Sequence, residues 1–235
     1  MMGVVVPAHN EEALIGQCLQ ALRRAAQHPD LGGEPVQVLV VLDACTDRTG
    51  EVAAVLGIET LDVQHRNVGR TRAAGAIALI ERGVSWLCFT DADTAVAPCW
   101  LAQQAAWSRG KRADAVCGVV TVEDWQGFSR REREHYESLY DDREGHGHVH
   151  GASLGISAEA YLRTGGFAPL ACHEDADLVQ RLKAMGGTIA RTNTVRVSTS
   201  ARRTGRVVGG FASYLNGLGA AALGALSVGA DRQVL

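Results

Sequence analysis

Trp86-Leu87-Cys88-Phe89-Thr90-Asp91-Ala92-Asp93 decides how this chain is read. A continuous apolar run with no alternation ends abruptly in two carboxylates one residue apart. Such a run, bounded by polar residues, reads as a strand buried on both faces, as in a parallel sheet with helices on either side. Ligands of open α/β sheets gather at the carboxyl ends of such strands. If strand geometry persists, Asp91 and Asp93 point the same way, because side chains repeat with period two. Two acids so placed repel unless water, a base or a cation intervenes; a hard divalent cation carrying a phosphorylated ligand is one such partner. Taken alone, the triplet reads better as a capped turn with a solvated acid. The flanking sequence decides.

Upstream, strand and helix patterns alternate. Gly3 to Pro7 reads as a strand, and Pro7-Ala8-His9-Asn10-Glu11-Glu12 as a loop in which Asn10 caps the next helix. Leu14, Cys18, Ala21, Leu22 and Ala25 make that helix's apolar stripe. Val36 to Leu42 is a second buried strand ending at Asp43, followed by a helix capped by Thr46 or Asp47. Ile58 to Val63 is a third strand, and His65 to Gly69 leads into a helix holding Arg70 and Arg72. After the Asp91-Ala92-Asp93 stretch, Pro98 opens another helix, and Ala115 to Val122 is a further strand. This repetition of strand and helix predicts an α/β fold with a mostly parallel sheet.

The second half is less regular. Arg130 to Arg143 is a charged helical segment with Tyr136, Leu139 and Tyr140 on one side. His146, His148 and His150 alternate through a Gly-rich loop; they read as a transition-metal site or, with no set ligand spacing, as a polar loop near the active site. Gly151 to Ser157 is a small-residue strand where a ligand approaches the backbone closely. His173-Glu174-Asp175-Ala176-Asp177 opens a helix with Leu178, Val179 and Leu182 inward. Residues 207–230 carry no charge, but six glycines with Tyr214 and Asn216 make them weakly hydrophobic. They read as a packed terminal helix, or one on a membrane surface, rather than a span.

Composition narrows the classes. The 235 residues suffice for one large domain with a real core. A net charge of −3 gives no field for nucleic acid. Among 23 basic residues only Lys111 and Lys183 are Lys, which favours fixed guanidinium forks for phosphate or carboxylate. The six cysteines form no CxxC pair, which fits a reducing, cytoplasmic setting, and no signal peptide is read at the N-terminus.

Four separated segments then resemble one family: Val5-Val6-Pro7-Ala8-His9-Asn10-Glu11-Glu12, Val41-Leu42-Asp43-Ala44-Cys45-Thr46-Asp47, Asn67-Val68-Gly69 with Arg72, and Asp91-Ala92-Asp93. A fifth, His173 to Leu178, lies far downstream. Their order and spacing resemble an inverting family-2-type glycosyltransferase of the nucleotide-diphospho-sugar transferase superfamily. The resemblance implies a GT-A fold, a Rossmann-like three-layer sandwich, over residues 1–206, with residues 207–235 as a helical tail. It implies a nucleotide-sugar donor, UDP- or GDP-linked, a hydroxyl-bearing acceptor, and Mg²⁺ or Mn²⁺ at a DXD motif. Pro7, Ala8, Asn10 and Glu11 would hold the nucleoside, Asp43 the base, and Arg72 would lie along the nucleotide. Asp91, Ala92 and Asp93 would line the donor, with Asp93 and Asp91 as metal ligands. Asp175 would be the general base, with Glu174 supporting it. Asp177, the nearest spare carboxylate, would point away from Asp175 by helical spacing. His150, Gly151, Arg202 and Arg203 are candidates for acceptor or diphosphate contacts. Attachment to the inner face of a membrane and pairing with a second copy stay open.

This chain also departs from the family pattern. Ala44-Cys45 stands where Gly-Ser is usual, Ala73 where an Asn commonly follows the Arg, and no His after His173 offers a third metal ligand. Two other readings remain: a sugar-phosphate nucleotidyltransferase, for which the basic Gly-rich N-terminal loop is missing, and a catalytically inactive nucleotide-sugar-binding module.

Overall fold

The computed structural model describes residues 1–125, 127–201 and 215–217. Arg202, Arg203 and Arg206, and the tail apart from 215–217, lie outside the described residues. No helix among those described is long and apolar enough to cross a membrane.

The sheet grows around β1 (Met2–Ala8), every residue of which is buried. It pairs in parallel with β2 (Val36–Asp43) on one side and with β4 (Trp86–Phe89) on the other, and β2 pairs in parallel with β3 (Glu59–Val63). Pro7 is tolerated in this central strand because β4 pairs only as far as Val5, so no neighbour on that side asks for its missing N–H. Beyond β4 the order is β7 (Leu154–Ser157), β6 (Ala115–Val122), β8 (Ile189–Thr199) and β5 (Thr94–Val96). β7 runs antiparallel to both its neighbours and β5 antiparallel to β8; the other strands share one direction. The expected mostly parallel α/β sheet is therefore present, with two reversed strands that the hydrophobic pattern did not reveal.

Alternation along the strands makes the three layers. Val4, Val6, Val40, Leu42, Trp86 and Cys88 face a core built with α1 (Ile15–Ala26), α2 (Thr49–Val55) and α4 (Trp100–Ser108). Val5, Leu39, Val41, Leu87 and Phe89 face the opposite core, with α3 (Val68–Glu81), α6 (Ala158–Arg163) and α7 (Glu174–Ala184). Both faces are apolar, so the strands read as unbroken hydrophobic runs. A third, small cluster joins α5 (Arg130–Leu139) to the end of β6 through Tyr136, Trp125, Phe128 and Tyr140, with Ala201 and Leu215.

Two local expectations are corrected. β4 ends at Phe89, and the Asp91 carbonyl accepts the Thr94 N–H at 3.1 Å, so Asp91 and Asp93 sit in a turn between β4 and β5 and not on a continuing strand. Asn10 does not cap α1; the helix starts at Ile15 after Leu14, without a side-chain cap. Asn67 does cap α3, accepting the Arg70 N–H at 2.9 Å.

α3 lies close on the sheet at Gly75, where an added Cβ would fall 2.6 Å from Val5 Cγ1 and 2.7 Å from Val41 Cγ2. Gly75→Ala should therefore lower stability by about 1–3 kcal/mol through overpacking, despite the better helix propensity of Ala. Urea denaturation measures it; an unchanged midpoint would contradict this packing.

Candidate active site

The loops at the carboxyl ends of β1, β2 and β3 are tied to one another by side chains that the sequence motifs supply. Asp43, 5% exposed, spends its carboxylate on the protein itself. Oδ1 accepts the N–H groups of His65 (2.7 Å) and Arg66 (2.8 Å), and Oδ2 accepts Asn67 N–H (3.1 Å) and the Thr71 hydroxyl (2.6 Å). Burial opposes ionisation, yet these donors hold the Asp43 carboxyl below its ordinary pKa. Its backbone carbonyl meets His9 Nδ1 at 2.6 Å. Asn10 Oδ1 accepts the Thr46 N–H at 2.7 Å, and Glu11, itself buried, donates its N–H to the Thr49 hydroxyl at 2.8 Å. Asp47 accepts Glu12 N–H and Thr49 N–H, both at 3.0 Å, which gives it the helix-start role expected of it. Pro7 and Ala8 close β1 beside this knot, and the Ala8 carbonyl accepts the Cys45 thiol at 3.4 Å. Pro7, Ala8, Asn10, Glu11 and Asp43 are thus brought together, as the sequence predicts.

Among the described residues four non-glycines have positive φ: Asn10 (55°), Ala44 (51°) and Arg66 (48°) in the loops after β1, β2 and β3, and His173 (62°) at the start of α7. A left-handed backbone costs an L-residue roughly 1–2 kcal/mol. Ala44 takes this left-handed backbone although it carries a Cβ.

Arg72 is placed differently from the expectation that it lies along a nucleotide. It is 4% exposed and turned beneath the site. Nη2 donates to Asp91 Oδ1 at 2.6 Å, and Nη1 donates to Glu174 Oε1. The guanidinium lies 5.9 Å from the centre of the Phe167 ring. Gly151 makes room for it: a Cβ there would sit 2.6 Å from Arg72 Cζ. The expected close approach at Gly151 is therefore made by an arginine of the protein. Burial works against the Arg72 charge, but Asp91 and Glu174 raise its pKa and hold it protonated. Glu174 is pushed up by burial against the pull of Arg72, with Asp175 adding to the rise.

Asp175 stands in the first turn of α7, beside Glu174. Its Oδ2 accepts Gly151 N–H at 2.6 Å and its Oδ1 accepts Ala176 N–H at 2.7 Å. Asp177 instead pairs with Arg181 at 2.7 Å, and Arg181 reaches on to the carbonyls of Thr164 and Gly166. Asp177 is thus occupied in holding the preceding loop. His150, next to Gly151, has Nε2 at 3.2 Å from the Tyr140 hydroxyl, and burial lowers its pKa to about 4, so it is neutral at pH 7. The alternating histidines do not converge on a point. His148 stacks on Tyr140 at 4.2 Å with 6° between planes, while His146 and His150 stack on His148 at 5.5 and 5.3 Å. Each uses a ring nitrogen within the protein. Among the described residues no group of three His, Cys, Asp or Glu is arranged to hold a metal. That removes the transition-metal reading of His146, His148 and His150.

A Mg²⁺ or Mn²⁺ ion needs less from the protein, because these ions bind through one or two carboxylates with the substrate phosphates completing the shell. Asp91 keeps Oδ2 outside the Arg72 contact, and Asp93, partly exposed, accepts a long 3.4 Å bond from the Thr94 hydroxyl through Oδ1. The donor set present fits that kind of site. Thr49 and Thr71 are site-building residues that the motif reading passed over; their hydroxyls act on partners 38 and 28 residues away, a signal that spacing does not carry.

A glycosyl transferase family 2 profile matches residues 3–164. The chain belongs to that family and has a GT-A fold. The profile stops short of Glu174 and Asp175. Among solved structures, S. aureus TarS 1-349 in complex with UDP-GlcNAc is similar with a TM-score of 0.66 and 16% identity, over 87% of this chain and 60% of that one. The mannosyltransferase PcManGT from Pyrobaculum calidifontis, in complex with GDP-Man and Mn²⁺, is similar with a TM-score of 0.63 and 19% identity, over 100% of this chain and 76% of that one. This chain thus spans about three fifths of the TarS fragment's length. Comparison with curated protein sequences gives no significant match.

Removing Arg72 leaves Glu174 buried without its counter-charge. Arg72→Met should cost about 3–5 kcal/mol, the range for breaking a buried ion pair. Arg72→Lys keeps the charge but loses the fork, and should retain only part of that stability. Thermal and urea unfolding of the two variants measure this; a Met variant as stable as wild type would show that the pair carries no structural weight.

Proposed function

We propose that the protein transfers a sugar from a nucleotide-diphospho-sugar to an acceptor hydroxyl in one displacement that inverts the anomeric carbon, with Asp175 as general base and a divalent ion at Asp93 and Asp91. The observation that carries this reading is the single buried Arg72 joining Asp91 to Glu174. Through it, the carboxylates after β4 and the start of α7, where Asp175 stands, are held in one frame.

The roles follow from charge and position. Pro7, Ala8, Asn10 and Glu11 form the wall at the end of β1 against which a nucleoside rests. Asp43 contributes by shaping the loop at 65–67, since its carboxylate is taken up by that loop's amides. Asp93, with Asp91, would hold Mg²⁺ or Mn²⁺, which would supply Lewis-acid neutralisation of the diphosphate leaving group. Asp175 accepts the proton of the attacking hydroxyl; its two amide donors keep the carboxylate aimed. Glu174 positions Asp175 by anchoring the helix start to Arg72. A retaining route needs a nucleophilic carboxylate nearby, and Asp177 is engaged with Arg181. The complexes of TarS with UDP-GlcNAc and of PcManGT with GDP-Man and Mn²⁺ support a nucleotide-sugar donor and a divalent ion for this chain. A cytoplasmic location, with the acceptor reached at a membrane surface or free, is compatible with this chemistry.

Asp175→Asn keeps an oxygen for the Gly151 amide and removes the basicity. It should cut transfer by about 10²–10⁴-fold while UDP or GDP binding with Mn²⁺, measured by calorimetry, stays as in wild type. Intact turnover would remove Asp175 as base. If wild type bound neither nucleotide with Mg²⁺ or Mn²⁺, the donor reading itself would fall.

A further inference from the structure

The amide that holds Asp175 is itself held by two side chains. Gly151 N–H reaches Asp175 Oδ2 at 2.6 Å, and it belongs to the peptide unit that joins His150 to Gly151. The carbonyl of that unit accepts the Ser153 N–H at 2.9 Å, so both ends of the peptide are engaged. Arg72 lies against it, since a Cβ on Gly151 would fall 2.6 Å from Arg72 Cζ. On the remaining side stands the His150 ring, whose Nε2 is 3.2 Å from the Tyr140 hydroxyl. That hydroxyl accepts the Val120 N–H of β6 at 2.8 Å. A line of contacts therefore runs from the sheet through Tyr140 and His150 to the amide on Asp175.

Tyr140 is covered on both faces. His148 stacks on one at 4.2 Å with 6° between planes, and Tyr136 stacks on the other at 5.4 Å. The stack is fixed in turn by backbone amides: His148 Nε2 accepts the Asp141 N–H and His146 Nδ1 accepts the His148 N–H, both at 3.2 Å. A ring nitrogen that accepts carries no proton, so His146 and His148 are neutral in this arrangement. His150 is neutral as well, and its Nε2 can take the Tyr140 proton. With its ring covered, Tyr140 offers no face to a ligand; it offers a fixed hydroxyl to His150.

We propose that His150 and Tyr140 are positioning residues for the reaction, holding the Gly151 amide against Asp175 and thereby setting the direction of the base. This inference rests on the reading of Asp175 as base. His150 acts through its contact with Tyr140, not by touching diphosphate or acceptor. A carboxylate bonded at Oδ2 to a fixed amide, and at Oδ1 to the Ala176 N–H of its own helix, aims its remaining lone pairs in one direction. Misplacing a reacting group by about 1 Å can cost on the order of 10²-fold in rate. Slack in the peptide at 150–151 therefore acts on turnover. Changing His150 alone leaves the Val120 bond and the Tyr140 stack in place, so its effect is separable from folding.

The test compares the full wild-type chain with His150→Leu, His150→Gln and Tyr140→Phe. Leu removes the polar atoms, Gln returns an amide near the place of Nε2, and Phe keeps the stacked ring while losing the hydroxyl. Nucleotide release from UDP-GlcNAc or GDP-mannose with Mn²⁺, with water and methyl glycosides as acceptors, gives kcat and the donor KM. Hydrogen exchange of the Gly151 amide, followed by NMR, reports its bond to Asp175 without turnover. The Leu and Phe variants should lower kcat about tenfold to a hundredfold at unchanged donor KM, and speed Gly151 exchange about tenfold. The Gln variant should recover most of both. Wild-type exchange at Gly151 in the Leu and Phe variants would overturn the proposal, as would a Gln variant no better than Leu. A donor KM raised with kcat intact would do so too, since it would put His150 on the donor. Faster Gly151 exchange with turnover intact would instead remove Asp175 as base, and this inference with it.

Discussion

A single buried guanidinium holds the functional region together. Arg72 leaves α3, passes under Gly151 and meets Asp91 from the end of β4 and Glu174 from the start of α7. Three segments separated by up to 102 residues in the chain converge on one charge. Desolvating an arginine is expensive unless carboxylates face it, and two do. Geometry is the return on that cost. Asp175 is covalently next to Glu174, so its position relative to Asp91 is set by the same ion triad and by the Gly151 amide. A lysine at 72 could match the charge but not both directions at once.

Around this centre the loops carry the strain. The left-handed residues Asn10, Ala44 and Arg66 sit where strands give way to loops, each held by a hydrogen bond from a neighbouring segment, and left-handed His173 opens α7. Asp43 shows the principle most fully, with four donors on one carboxylate. A residue that the sequence marks for ligand contact spends its carboxylate on the loop at 65–67 and on Thr71. Backbone strain of this kind persists because the surrounding contacts over-determine it.

Much of the architecture was legible because parallel strands covered on both faces read as uninterrupted apolar runs, and β1, β2 and β4 are of that kind. β5, three residues long, escaped notice, and β7 was read as a small-residue strand within Gly151 to Ser157, but nothing in its residues signals that it runs antiparallel. The candidate residues Pro7 to Glu11, Asp43, Arg72, Asp91 to Asp93, Glu174 and Asp175 were visible as motifs, and the fold does gather them. What the motifs could not convey was orientation. Arg72 in sequence is a cation near a nucleotide loop; only packing turns it under Gly151 and into an ion triad. The histidines likewise alternate in sequence like ligands, whereas they stack on one another and, through His148, on Tyr140.

One displacement, with one base facing the donor, implies that the new glycosidic bond has the opposite anomeric configuration to the donor's. Proton NMR of the product formed early in turnover reads that configuration directly from the coupling of the anomeric proton. Inversion relative to the nucleotide sugar is the predicted result. Retention would require a second carboxylate as nucleophile and would contradict the assignment of Asp175 as base in a frame set by Arg72.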